Sequence, residues 1–169
     1  MEKINFKDLP NTDTPINSSN LNRLQTNVEN AITHEYCQAK LGTSQKIDFD
    51  TLYANQRINF DTVVSKQGNL TLENSAIKIG KGISKVKVTY TVNVSDLTSE
   101  GLFSIQSGLM LNLVPMIRYY SFTGSYIREV TEGEEISVTL AMQSGTTNSI
   151  TLLKSGNYIS NTLLVEKIA

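Results

Sequence analysis

The chain carries a single cysteine, a single histidine and no aspartate beyond Asp96. Each shortage removes a class of chemistry. Cys37 has no partner in the chain, so no intrachain disulfide can form, and the fold must be held by its core and by association. His34 would need a nucleophile beside it in a cleft to act as a catalytic base, and no G-x-S-x-G turn occurs anywhere. His34 and Cys37 lie one helical turn apart, but two ligands do not complete a zinc site that takes four. A threefold axis would gather three copies of His34, yet this residue stands off the apolar stripe described below. No metal and no cofactor are expected.

Glycoside hydrolysis needs two carboxylates across a cleft. Glutamates of the β region instead bunch as Glu129, Glu132, Glu134 and Glu135 around Gly133, which reads as a charged hairpin turn. No glycine-rich phosphate loop precedes a helix. The sequence gives no support for catalysis.

Long apolar runs are also missing. No window approaches the roughly 20 apolar residues of a membrane helix, and the opening "MEKINFKDLP" is too polar for a signal peptide. The expectation is a protein made in the cytosol that reaches the exterior by assembly or lysis. A net charge of -1 offers no attraction to nucleic acid or an anionic membrane. Lys78, Lys81, Lys85 and Lys87 read as the solvated face of a strand rather than a polyanion site.

What remains is globular material, with 39% hydrophobic and 18% charged residues, enough for one domain and an appendage. Residues 1–18 are polar, with Pro10 and Pro15, and "NTDTPINSS" is turn and cap chemistry in which Asn17, Ser18 or Ser19 starts a helix. Residues 19–40 then show helical periodicity. Leu21, Leu24, Val28, Ile32, Tyr36 and Ala39 follow steps of 3, 4, 4, 4 and 3 on an otherwise polar surface. So thin a stripe suits a self-associating bundle better than docking on a globular core, which needs a broader face. Its 11-residue spacings favour a straight or slightly right-handed bundle. The competing reading is a helix packed on its own domain.

Residues 41–56 read as a connector with short extended pieces, and residues 57–169 as the head. There "SKVKVTYTVNV" places Val86, Val88, Tyr90, Val92 and Val94 on one face, and "EISVTLAMQ" does the same with Ile136, Val138, Leu140 and Met142. Shorter strands, including 116–121, 126–130 and 157–160, alternate with Gly, Ser, Asn and Asp clusters. Eight to ten strands without a helix imply a mainly β fold, a jelly-roll β-sandwich preceded by a short trimerising helix.

The closing strand "NTLLVEKIA" turns Leu163 and Val165 to one side and Leu164 and Ile168 to the other. The segment "LMLNLVPMI" is likewise apolar on both faces, whereas 86–94 and 136–142 are apolar on one. This contrast suggests one sheet covered twice, by its partner sheet and by neighbouring copies. The expected trimer interface therefore comprises Leu21, Leu24, Val28, Ile32, Tyr36, Leu164 and Ile168.

The best ligand-facing segment is "RYYSFTGSYIR", where Arg118, Tyr119, Tyr120, Tyr126 and Arg128 offer ring faces and hydrogen bonds around Gly124. The alternative is that half of these rings alternate into the core. The polar stretch "QSGTTNS" is a second, weaker choice.

Two segments carry a resemblance. The unit Pro15, Ile16, Asn17, Asn20, Leu21, Asn22 ahead of a helix resembles the N-terminal segment of tail, baseplate and fibre proteins of phages that infect Gram-positive bacteria. From about Arg57, "ISKVKVTYTV", "VTEGEEISVTLAM" and "YISNTLLVEKIA" resemble trimeric jelly-roll heads of the tumour-necrosis-factor and complement type. The resemblance implies a homotrimeric virion protein, attached to other virion proteins through residues 1–18 and displaying a jelly-roll head; the leading expectation is that this head binds a host cell-surface glycan or protein. Three alternatives stand beside it: a decoration or spacer without a receptor, a small polysaccharide-degrading enzyme, and a soluble signalling ligand.

Overall fold

The computed structural model describes residues 18–32, 34–49, 51–95, 101–108, 110–116, 120–145, 149–156 and 160–169. The chain divides into two compact units, Met1–His34 and Glu35–Ala169.

In the first unit, α1 (Ser18–Ile32) has no acid in its first turn and no base in its last. Nothing on the side chains therefore complements the helix dipole, and a helix this short is marginal in water without partners. Its apolar residues Leu24 and Val28 are exposed, Leu24 by 59%. The expected anchoring segment lies outside the described residues, apart from Ser18.

The helix ends at Ile32 rather than Lys40, and His34 is exposed beyond it. Tyr36–Lys40 is a strand, β1. Tyr36 and Ala39 fit a helical period after Ile32, but Cys37, Ala39 and Leu41 also alternate, and burial follows the alternation. Pairing on both edges of the segment overrides the local helical pattern.

The second unit continues with β2 (Gln45–Asp48), β3 (Gln56–Arg57), β4 (Thr62–Gln67), β5 (Thr71–Glu73), β6 (Ala76–Lys78) and β7 (Lys85–Ser95). Then come β8 (Gly101–Ser107), β9 (Met110–Met116), β10 (Tyr120–Glu129), β11 (Glu135–Ile136), β12 (Thr139–Gly145), β13 (Ser149–Leu152) and β14 (Thr162–Lys167). A seven-stranded sheet runs β2-β13-β7-β14-β1-β4, with β10 on the other side of β7. A four-stranded sheet runs β3-β12-β8-β9, and β11-β6-β5 form a third. All recorded pairings are antiparallel. Between the sheets lie Val86, Val88, Tyr90, Val92 and Val94 of β7, Phe103 and Ile105 of β8, Leu140 of β12, and Leu163 and Val165 of β14.

Four expectations need correction. Leu41, Ile47 and Phe49 are buried, with Phe49 tilted on Phe103 at 5.4 Å, so residues 41–56 belong to the head, which starts at Glu35 rather than Arg57. Residues 120–129 form one strand rather than two, with Gly124 inside it. The turn around Gly133 leads from β10 in the large sheet to β11 in the three-stranded one, so it is not a hairpin. The proposed sorting of strands also fails: β7 and β14 share a sheet, as do β12 and β9. Apolarity on both faces is thus a local property of β9 and β14, not of one sheet. The expected strand 157–160 lies outside the described residues except for Ser160, which is not in a strand.

Two polar nodes fix the ends of this unit. At one end the Glu35 carboxylate accepts from Lys167 Nζ at 2.9 Å and from the Asn69 N–H at 2.7 Å, while Lys167 N–H donates to the Glu35 carbonyl. Burial opposes ionisation of Glu35, but the Asn69 N–H and the Lys167 ammonium outweigh it and lower its pKa below the ordinary 4.5. Towards the other end Asn161 is fully buried. Its Oδ1 accepts from the Asn93 N–H and its Nδ2 donates to the Leu153 carbonyl, while its N–H meets Ser155 Oγ.

Asn161→Ala strands the Asn93 N–H and the Leu153 carbonyl, and should cost about 2–4 kcal/mol in the denaturant-unfolding free energy. The Glu35 contribution, from a depressed carboxylate, is complete above the unfolded pKa near 4.5 and disappears as pH falls through the lower folded value. Glu35→Gln should therefore lower the melting temperature at pH 7 and make its decline below that pKa shallower than in the wild type.

Candidate interaction surfaces

Gly101 pairs with both Met116 and Gly145, and in the large sheet Val94 pairs with Tyr120 and Ser95 with Thr151. These residues flank the connections 96–100, 117–119 and 146–148, so all three are attached at one end of the sandwich. Tyr36, Glu166, Lys87 and Ile127 form a register row towards the other end, where Glu35 starts the unit. The head thus has a proximal end, where Glu35 begins the unit, and a distal end, where these strands stop. Of the expected ligand residues, Arg118 and Tyr119 lie outside the described residues, as do residues 146–148 of the "QSGTTNS" stretch.

The remaining expected ligand residues sit on β10. Strand alternation turns Tyr120, Phe122 and Tyr126 towards the core, where all three are partly buried against it. Tyr126 shares a 2.9 Å hydroxyl hydrogen bond with Ser107, whose Oγ also lies 2.9 Å from the Ser137 carbonyl. Burial raises the Tyr126 pKa against the opposing effects of Ser107 and Arg128. Arg128 is joined to Glu134 in a close ion pair and donates from Nε to the Glu129 carbonyl. The geometry engages Tyr126 and Arg128 within the fold and gives Tyr120 a packing role.

Gly124 explains how this strand closes the sandwich. It pairs with Tyr90 of β7, and a Cβ placed on it would lie 2.5 Å from the Tyr90 ring. The ring crosses over the glycine, and its hydroxyl accepts from Asn112 Nδ2 of β9 at 2.8 Å. Tyr90 also packs on Phe122 at 6.1 Å. One side chain thereby ties the open edges of the two sheets together.

The other face of the large sheet has no covering layer from Glu35–Ala169 among the described residues. Register rows place Gln38, Leu164, Thr89 and Ser125 side by side, then Lys40, Thr162, Thr91 and Thr123. Hydroxyls link Thr89 to Ser125 and Thr91 to Thr123, each at 3.1 Å. In the adjoining row Ile127 is 57% exposed, and Tyr36 and Leu164 are only partly covered. Ile168 is exposed as well. Tyr36 therefore joins Leu164 on a sheet face rather than extending the helical stripe. On β9, Leu111 and Leu113 are exposed while the intervening Asn112 turns inwards.

The reactive residues do not converge. Cys37 is buried in β1 and burial raises its thiol pKa, which suppresses the nucleophilic thiolate. His34 is exposed outside that strand, so the two no longer share a helix turn. A cleft of about 520 Å³ at the proximal end is lined by Ser84, Lys85, Glu129, Thr131 and Glu134, among others. Both Glu134 oxygens are engaged there, by Arg128 and by the Thr131 N–H. Among the described residues no group of three or more His, Cys, Asp or Glu could hold a metal ion. No described helix is long and apolar enough to cross a membrane.

Sequence reasoning passed over Leu52 and Tyr53, which lie in the supposed connector. Both are exposed, and Tyr53 has a φ of 65°. Their polar setting carried no periodic signal.

No family model matches the sequence, nor does any curated protein. Solved structures do match. Murine APRIL at pH 8.5 superposes with a TM-score of 0.52 at 13% identity, over 80% of this chain and 99% of that one. The fold is a mainly β jelly-roll sandwich, similar to that of APRIL. Weaker likenesses are the PRD1 vertex protein P5 (TM-score 0.49, 15% identity, 82% and 99% covered) and an Eiger TNF from S. frugiperda (0.44, 10%, 81% and 92%).

The close approach at Gly124 gives a direct test of the sandwich closure. Gly124→Val must displace the Tyr90 ring and should destabilise the head by about 1–3 kcal/mol. Fluorescence-monitored unfolding in urea would measure it.

Proposed function

We propose that this protein is a homotrimeric structural component of a phage virion whose jelly-roll head is displayed to the host cell. The observation that supports the trimer is apolar surface left open: Leu24 and Val28 on α1 and Ile127 on the large sheet are exposed, and Leu164 on the same sheet face is only partly covered. Burial of such side chains contributes roughly 1.5–3 kcal/mol each, and a closed ring multiplies the gain by the number of copies. The virion assignment rests on the resemblance of the Pro15–Asn22 unit to phage tail and baseplate segments. Residues 1–18 attach the chain to other virion proteins, and the distal end of the head meets a cell-surface glycan or protein. Weak single contacts are strengthened when three copies act together.

A second reading has a specific observation behind it. Tyr126 and Arg128 are engaged internally, which suits a spacer or decoration protein without a receptor. Adsorption separates the two: the purified protein should bind host cells, and virions lacking the head should adsorb poorly. Normal infection by such virions would leave only the structural role. Release of reducing sugar from host wall material by the pure protein would revive the enzymatic alternative.

Sedimentation equilibrium at micromolar concentration should give three times the 18.7 kDa chain mass. Leu164→Glu, which places a charge on the open sheet face of every copy, should shift the protein towards single chains while leaving its circular dichroism unchanged. A wild-type monomer would remove the proposal.

A further inference from the structure

Three described non-glycine residues have a left-handed backbone: Tyr53 at φ 65°, Asn74 at 47° and Ser75 at 63°. Asn74 and Ser75 are the two residues between β5 and β6, and a two-residue hairpin turn of this type requires positive φ at both. Tyr53 has no such reason. It stands in the turn before β3, where a bulky side chain at positive φ is a genuine outlier. Its N–H is held by the Met142 carbonyl at 2.8 Å. Its ring nevertheless stays out of the core, 66% exposed, beside the 46% exposed Leu52. The packing duty in this stretch falls to Phe49, which meets Phe103.

Tyr53 thus combines a left-handed backbone, fixed in its turn by the bond from its N–H to the Met142 carbonyl, with an aromatic ring in water. Met142 lies on β12 towards Gly145, which pairs with Gly101, so the ring stands towards the distal end. The stretch Thr51–Gln56 carries no charge, and neither do Gln143 and Ser144 after Met142. Asp50 and Arg57 flank this stretch in sequence; Arg57 pairs with Glu135, and nearby Lys46 with Asp48. A platform whose own side chains are uncharged, with one exposed ring, an aliphatic neighbour, hydroxyls and amides, suits a neutral polyhydroxylated ligand. The C–H face of a sugar ring stacks on the aromatic face while its hydroxyls take the polar groups.

We infer that Tyr53 and Leu52 form a stacking platform for a neutral glycan of the host surface; this rests on the receptor-binding reading above and names its site and ligand class. A side chain retained for contact at the expense of its own backbone is expected where strain serves function. Asparagine tolerates the left-handed region far better than tyrosine. Tyr53→Asn should therefore melt at or above the wild-type temperature while binding less.

The experiment uses the full chain, wild type and Tyr53→Asn. Both are applied to immobilised arrays of neutral and of phosphate-bearing bacterial surface oligosaccharides, and to intact host cells with and without protease treatment. The expected result is wild-type binding to neutral glycans that falls roughly tenfold or more in the variant, with no loss of thermal stability. Equal glycan binding by both proteins overturns the Tyr53 platform and leaves receptor binding standing. Cell binding abolished by protease, without glycan binding, overturns the ligand class in favour of a protein receptor. Binding confined to the phosphate-bearing glycans overturns the neutral assignment. No cell binding by the wild type removes the receptor reading itself, and this inference with it.

Discussion

A large antiparallel sheet has two faces, and the described residues of Glu35–Ala169 supply a covering layer for only one of them. The inward rows of β7, β14 and β1 meet the four-stranded sheet and account for much of the core. The outward rows are a mixture of hydroxyls, amides and a few exposed or half-covered apolar side chains. Threonine and serine satisfy one another across β7 and β10, so this face tolerates water. Leu164, Tyr36 and Ile127 gain from being covered. The face is therefore stable enough for a chain to fold alone and apolar enough to reward a neighbour. That intermediate character links the fold to the proposed assembly, because a fully greasy face would risk uncontrolled aggregation and a fully polar one would give no ring.

Much of the sandwich was legible because period-two alternation is strong wherever one face is buried. Val86 to Val94 and Ile136 to Met142 announce their strands and their inward faces, and the structure buries every alternate residue named in them. The closing strand was also readable, with Leu163 and Val165 inside and Leu164 outside. The segment Tyr36–Lys40 was not. Its apolar residues satisfy a helical step and a strand alternation at once, and only pairing with β14 and β4 decides between them. A sequence states which side chains prefer burial but not which other strand will lie alongside.

The site was less legible for a related reason. Aromatic density drew attention to residues 118–128, yet on a strand the density splits between two faces. Tyr120, Phe122 and Tyr126 go inwards, leaving Ser121, Thr123 and Ser125 outside, so the most conspicuous motif serves packing. Gly124, at the centre of that motif, is a small residue under the Tyr90 ring. Tyr53 made no pattern at all. Its importance rests on backbone conformation and exposure together, which composition does not encode.

The two ends of the head are built differently, and this suits a molecule held at one end and used at the other. At the proximal end the Glu35 carboxylate ties the first strand to Lys167 and to Asn69, and the Ala169 carbonyl accepts from both the Ser84 and Lys85 N–H groups. Any pull delivered through Glu35 reaches a central strand of the large sheet instead of an edge, because β14 lies between β1 and β7. At the distal end Asn161 braces the approach to β14 from inside, with its side chain spent on backbone groups of β7 and Leu153. Bracing from within lets the surrounding surface residues change without loss of the frame. In the proposed virion role this leaves the distal surface free to vary while the proximal end stays fixed, since the hydrogen bonds named at each end share no residue with the other.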